Sequence, residues 1–186
     1  MLRPAHIGHL ALLRSLIRDG ARNGSFQPEL AGDTPQAERF FEELRQALKT
    51  GYFVVENPDT GLKERLAVPG YVYWADGDEA TSPPVGFCLF RSVPAGGYEL
   101  WLAGLDNAMR GPGLGRTMLK ALLDTPAGRD TRFMRVRRDG AYADAIARLL
   151  EEHGFTSTRE SRHETWFVRV APHALLRPGD DRRRAH

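Results

Sequence analysis

Apolar residues recur at helical spacing at Ile7, Leu10, Leu13 and Ile17, with Leu12 and Leu16 widening the stripe. This predicts a first helix over residues 5–19 that stops at Gly20, preceded by a short edge strand over residues 1–3. After a loop at 24–28, Thr34 offers a capping hydroxyl and Pro35 fits the first helical position, and Phe40, Phe41, Leu44 and Leu48 line one face of a second helix ended by Gly51. The pattern then changes period. Dense apolar or alternating runs at 52–56, 66–74, 85–93 and 98–105 read as strands, separated by the turn residues Asn57-Pro58-Asp59-Thr60-Gly61 and Pro94-Ala95-Gly96-Gly97. The stretch 57–84 is long for a hairpin link, so it should hold structure of its own or be partly mobile.

Helical spacing returns at Leu114, Met118, Ala121 and Leu122, in a helix ended by residues 125–128. Residues 132–138 form the next strand, with Met134 and Val136 alternating against Phe133, Arg135 and Arg137. A helix follows over 141–152, with Ala145, Ile146, Leu149 and Leu150 on its face and Gly154 as its cap. Residues 155–170 contain two strands, the second over 165–170. A tail rich in arginine and proline, 172–186, lies outside the single domain expected for 1–171 and should fray.

Composition narrows the classes. With 186 residues, 41% of them hydrophobic, the chain suits one domain with a full core. A net charge of +2 gives no case for nucleic acid or membrane as a partner. One cysteine, Cys88, excludes an internal disulfide. The apolar run at 10–13 is interrupted by Arg14 and Arg18 and precedes no cleavage site, and no segment is long enough to span a bilayer, so a cytoplasmic protein is expected. His6 and His9 share a helix at i, i+3, but with no third ligand they read as surface histidines, and no metal is expected.

The stretch that carries chemistry is Arg110-Gly111-Pro112-Gly113-Leu114-Gly115-Arg116, running directly into a helix. Its glycines allow a tight turn and close approach of backbone amides to a ligand. The helix start adds unpaired N–H groups and the positive end of a dipole, a combination that cradles an anion such as phosphate. Arg110 and Arg116 could each add a charge-assisted bond. The stretch is not a P-loop, because no Gly-Lys-Ser or Gly-Lys-Thr follows. Nor is it a dinucleotide fingerprint, since the glycines fall as Gly-x-Gly-x-Gly late in the chain. A glycine-rich connection that binds nothing is the plain alternative.

Arg-x-x-Gly-x-Gly resembles the pyrophosphate-binding motif of the GNAT acetyltransferase superfamily, and the element order from about residue 2 to about residue 170 is similar to that fold throughout. The resemblance implies an α+β fold: a mixed, mostly antiparallel sheet, splayed between its fourth and fifth core strands and flanked by about four helices. It implies acetyl-CoA as cosubstrate, held by Arg110, Gly111, Pro112, Gly113, Leu114, Gly115 and Arg116 and wedged between strands 98–105 and 132–138. A bulge is expected near Gly104, with the N–H of Leu105 or a neighbour stabilising the oxyanion. Asp144 stands where the family commonly has an asparagine.

The implied reaction is N-acetyl transfer to a primary amine by direct attack, without a covalent enzyme intermediate. The acceptor would be a small molecule or a peptide or protein amine, and a homodimer is compatible with this reading. Glu99 is the first candidate for the base and Asp106 the second; the alternative for Glu99 is a cross-strand pair with Arg91. Phe26, Gln27 and Glu29 are candidate acceptor contacts, as against an ordinary polar loop. Arg135 and Arg137 share a strand face and could hold a carboxylate or phosphate, as against pairing with nearby acids. The tyrosine that protonates the leaving thiolate in many family members is replaced by Leu150, and Tyr142 lies about 12 Å away along the helix. Two other functions stay open: a GNAT-fold module that binds CoA without turnover, and an acetyltransferase acting on RNA.

Overall fold

A computed structural model describes residues 1–56, 61–75, 82–93, 96–109 and 113–169. The first apolar stripe forms a 3₁₀ turn, Ile7–His9, and helix α1, Leu10–Arg22. Contrary to expectation the helix runs through Gly20. A Cβ there would come within 2.3 Å of the Phe26 ring, so the missing side chain admits an aromatic rather than ending the helix. Helix α2, Pro35–Thr50, begins as expected: the Thr34 hydroxyl accepts from the Ala37 N–H at 3.0 Å and Pro35 occupies the first turn.

The strands are β1 Leu2–Pro4, β2 Tyr52–Glu56, β3 Lys63–Ala67, β4 Gly70–Tyr73, β5 Gly86–Ser92, β6 Tyr98–Leu105, β7 Thr131–Arg137, β8 Thr156–Glu160 and β9 Glu164–Val168. Seven of them form one sheet in the order β1-β4-β5-β6-β7-β9-β8, while β2 and β3 pair as a separate hairpin. The run 66–74 is therefore two strands, not one. Pro69, with no N–H to give a ladder, lies between them; its carbonyl accepts from Phe90 at 2.9 Å.

Helix α3, Leu114–Leu123, and the one-turn helix α4, Pro126–Arg129, connect β6 to β7, and α5, Ala143–Glu152, connects β7 to β8. Residues 125–128, expected only to end α3, start α4 instead: the Thr125 hydroxyl caps the Gly128 N–H at 3.0 Å. Because consecutive side chains of a strand point to opposite faces, the sheet carries two cores. On one face Leu13, Ile17, Phe41 and Leu44 of α1 and α2 pack on Phe87, Leu89 and Leu102. On the other Leu119, Leu122 and Leu150 pack on Cys88, Phe90, Leu100 and Val136. Burial pushes the Cys88 thiol far above its ordinary range, which leaves it an inert core residue. No helix among the described residues is long and apolar enough to cross a membrane.

Candidate active site

The site begins where two strands part. A crossover through α3 and α4 brings β7 back parallel to β6, as parallel pairing requires. The pairing spans only Tyr98↔Thr131, Glu99↔Phe133 and Leu100↔Met134. Beyond it, β6 continues against β5 as far as Leu105 and β7 continues against β9 as far as Arg137, so residues 101–105 and 135–137 diverge as a V. This is the expected splay.

The bulge lies elsewhere than expected. Leu89 pairs with Leu102 and Phe90 with Leu100, which leaves Trp101 as the extra residue, whereas Gly104 pairs in register with Phe87. Past the bulge the ladder is regular. The Asp106 N–H donates to Val85 O at 2.8 Å. By the alternation of an antiparallel ladder, the amides of Ala103 and Leu105 then face away from β5, towards the arm of the V that β7 has left. Ala103 went unread in the sequence because bulge position, not composition, sets which amides turn that way.

At the open end of β6, a 3₁₀ turn at Asn107–Met109 leads to the glycine loop. Arg110, Gly111 and Pro112 lie outside the described residues. Gly113 has φ +96°, a left-handed conformation that disfavours any side chain, and it stands as the N-cap of α3 with no side-chain cap. The Thr117 N–H makes the first bond of the helix, to Gly113 O at 2.9 Å, so the amides of Leu114, Gly115 and Arg116 lie ahead of any intrahelical acceptor. Leu114 and Leu105 share one apolar cluster, which sets this helix start against the end of β6. Arg116 is engaged elsewhere: its guanidinium binds both oxygens of Glu152 on α5, at 2.6 and 2.8 Å. Asp144 is exposed in the first turn of α5, beside an open groove that Arg138, Tyr142 and Arg148 also line.

Glu99 lies in the middle rung of the β6–β7 pairing. Its side chain is only 6% exposed. The cross-strand pair with Arg91 is present, with Nη2 donating to Oε2 at 2.6 Å, and Arg135 Nε donates to Oε1 at 2.7 Å. Both guanidiniums lie over indole rings, Arg91 over Trp101 and Arg135 over Trp166, each 5.4 Å from the centroid. Arg135 also approaches Glu164 at 3.6 Å. Trp101, Trp166 and Glu164 escaped the sequence reading, although alternation along β6 and β9 puts them on the face of Glu99 and Arg135. Asp106 is half-buried, and its Oδ1 accepts the Ala108 N–H at 2.9 Å, capping the turn after β6.

Arg137 closes one flank: its Nε donates to Gly24 O at 3.2 Å, and Ala141 N–H donates to Asn23 O at 3.0 Å, tying the loop after α1 to the end of β7. The Arg137 guanidinium also holds the Asp139 carboxyl below the usual carboxylate range. Of the acceptor contacts expected in that loop, Phe26 packs on the core, 6.4 Å from Phe87, and Gln27 and Glu29 are exposed. Leu150 is 1% exposed in the core and brings no ionisable group to the gap.

No protein-family model matches the sequence, and no curated sequence is significantly similar to it. Solved structures do share the fold. The PaiA N-acetyltransferase of Thermoplasma acidophilum, in complex with coenzyme A, superposes with a TM-score of 0.57 at 15% identity, over 91% of this chain and 97% of its own. A ribosomal-protein-alanine N-acetyltransferase of Brucella melitensis gives 0.58 at 17% identity over 91% and 99%. The diaminobutyrate acetyltransferase EctA of Paenibacillus lautus, in complex with L-2,4-diaminobutyric acid and coenzyme A, gives 0.53 at 18% identity over 92% and 94%. At these identities the likeness is one of fold: the chain shares the mixed α+β architecture of these solved structures, the GNAT fold.

Proposed function

We propose that the protein is an acyl-CoA-dependent N-acetyltransferase that moves an acetyl group from acetyl-CoA to a primary amine by direct attack. The observation that carries this reading is the V between β6 and β7, opening beside the uncapped start of α3. The diphosphate of CoA would meet the amides of Gly113, Leu114, Gly115 and Arg116, helped by Arg110, Gly111 and Pro112. Asp144 and the groove at the start of α5 would border the cosubstrate. For Arg116 to reach a phosphate it must leave Glu152.

The pantetheine arm would lie in the V and bring the thioester carbonyl to the amide of Ala103, two residues before Leu105. The amine nitrogen attacks the carbonyl carbon, the new C–N bond forms, and the C–S bond breaks to release CoA thiolate. Glu99 takes the amine proton through water. An ionised carboxylate has about four lone-pair sites, of which the two guanidinium bonds use two. Asp106 is the second base, nearer the loop, with its Oδ1 accepting within its own turn. With Leu150 in the core, water supplies the proton to the thiolate. That same residue favours a second reading, a module that binds CoA without turnover.

Calorimetry with acetyl-CoA, followed by free-thiol release with a panel of amines, tests both. The intact chain should take up acetyl-CoA, and Gly113→Glu should weaken uptake at least tenfold at an unchanged melting cooperativity. Uptake without amine-dependent thiol release selects the binding module; no uptake, or an unchanged Gly113→Glu variant, removes the reading.

A further inference from the structure

The sheet face that carries Glu99 is covered by α1 and α2 only in part, and across it runs a row of charges of alternating sign, one from each neighbouring strand. In sheet order these are Arg91 on β5, Glu99 on β6, Arg135 on β7 and Glu164 on β9, with successive contacts of 2.6, 2.7 and 3.6 Å. Burial along the row is uneven. The Glu99 side chain is 6% exposed, but Arg91 is 30% and Arg135 28% exposed. The two guanidiniums therefore form the accessible edge, with the Glu99 carboxylate recessed between them; counted with Glu164, itself 28% exposed, the row carries no net charge. Each guanidinium has five N–H donors, and Glu99 accepts one from each. The stacked indoles hold the planes of both forks, which suits bidentate capture of a carboxylate.

We propose that Arg91 and Arg135 form a carboxylate-binding edge of the acceptor site, and that the acceptor is an α-amino acid, with ammonium and carboxylate on one carbon. This rests on the acetyltransferase reading and names its substrate class. A zwitterion matches the row: its ammonium group meets the recessed Glu99, while its carboxylate meets a flanking guanidinium. A polyamine matches less well, because it brings no anion for either guanidinium and its chain would have to pass Arg135 to put a second cation on Glu164. The location agrees. Glu99 and Leu100 are the last residues of β6 paired to β7 before the V opens, so a nitrogen held at Glu99 stands at the vertex.

The test compares an α-amino acid with the amine left by its decarboxylation, phenylalanine with phenethylamine and leucine with isoamylamine, as acceptors in acetyl-CoA turnover. Calorimetry of their N-acetyl products, with and without CoA, is the second readout. The amino acid should show a KM at least tenfold below that of its amine, and only its N-acetyl product should bind measurably. Arg135→Lys keeps the charge but loses the fork. It should raise KM for the amino acid about tenfold more than KM for the amine, so that the preference between the two falls towards one. Equal use of acid and amine by wild type, with CoA bound, overturns the carboxylate edge and leaves the transferase intact. Selective binding of the N-acetyl amino acid without CoA uptake supports the edge and overturns the transferase. Spermidine used as well as phenylalanine would also overturn the edge.

Discussion

Two glutamates in this protein each accept two bonds from arginine and differ in everything around those contacts. Glu42 on α2 accepts two bonds from Arg45, at 2.6 and 2.8 Å, and one from Gln46 at 2.9 Å, with its side chain half-exposed. Glu99 accepts one bond from each of two arginines, on two other strands, and is almost wholly buried. The first cluster is one helix turn bonding to itself; it forms wherever α2 forms. The second exists only once β5, β6 and β7 are assembled, at the place where the sheet parts. Buried charge that has to be matched across three strands is a poor way to gain stability, since apolar residues of like volume often do as well. Its presence at the vertex of the V supports the role proposed for it.

The comparison breaks most sharply if the arginines are taken from Glu99. Arg91→Met with Arg135→Met leaves a buried carboxylate without a partner and should lower stability by about 3–5 kcal/mol in urea unfolding. Adding Glu99→Met removes the stranded charge and should recover most of that loss. Recovery of stability without recovery of turnover separates a functional cluster from a structural one; a double variant as stable as wild type would mean that the carboxylate is not desolvated in solution.

A smaller effect on stability and a sharper one on chemistry is expected of Glu99→Gln. The amide keeps shape but cannot take a proton. Turnover should fall about 10²–10⁴-fold at neutral pH, where the acceptor amine is protonated, and the deficit should shrink as pH rises towards the amine's own pKa. A deficit that is the same at every pH moves the base to Asp106 or to water and leaves Glu99 as a positioning residue for Arg91 and Arg135.

What could be read from the sequence, and what could be read only in part, follows from the same contrast. Local chemistry is legible: the Thr34-Pro35 start of α2, the helix after Gly113 and the strand at 98–105 are each set by neighbours a few residues away. The Arg91 and Glu99 pair was within reach, because a hairpin places them opposite one another. The Glu99 and Arg135 contact spans 36 residues and depends on a crossover. The place of the bulge was missed for a related reason. Gly104 had the suitable residue type, yet the register that makes Trp101 the extra residue belongs to the pair of strands and not to either alone. Gly20 misled in the opposite direction, since a glycine that admits Phe26 looks in sequence like one that ends a helix. The second strand at 66–74 was divided by Pro69, whose two flanks serve different sheets.

The smallest effect is expected of the exposed partner in the comparison. Arg45 and Gln46, by hydrogen bonds first and charge second, hold the Glu42 carboxyl at about 2 instead of the ordinary 4.5. A carboxyl lowered on folding contributes stability that is fully present above its unfolded pKa and is lost as pH falls through the folded one. The contribution of Glu42 should therefore be intact above about pH 4.5 and fade between there and about pH 2. Titration of the Glu42 side-chain carbon by NMR should give a midpoint of about 2, and Arg45→Met should return it towards 4.5. Glu42→Gln should leave CoA uptake and acceptor KM at pH 7 unchanged, because nothing in this cluster touches β6 or β7. A wild-type midpoint near 4.5 would show the exposed pair open in water, as solvent competition and side-chain entropy favour at a surface, and would widen the distance between the two glutamates rather than close it.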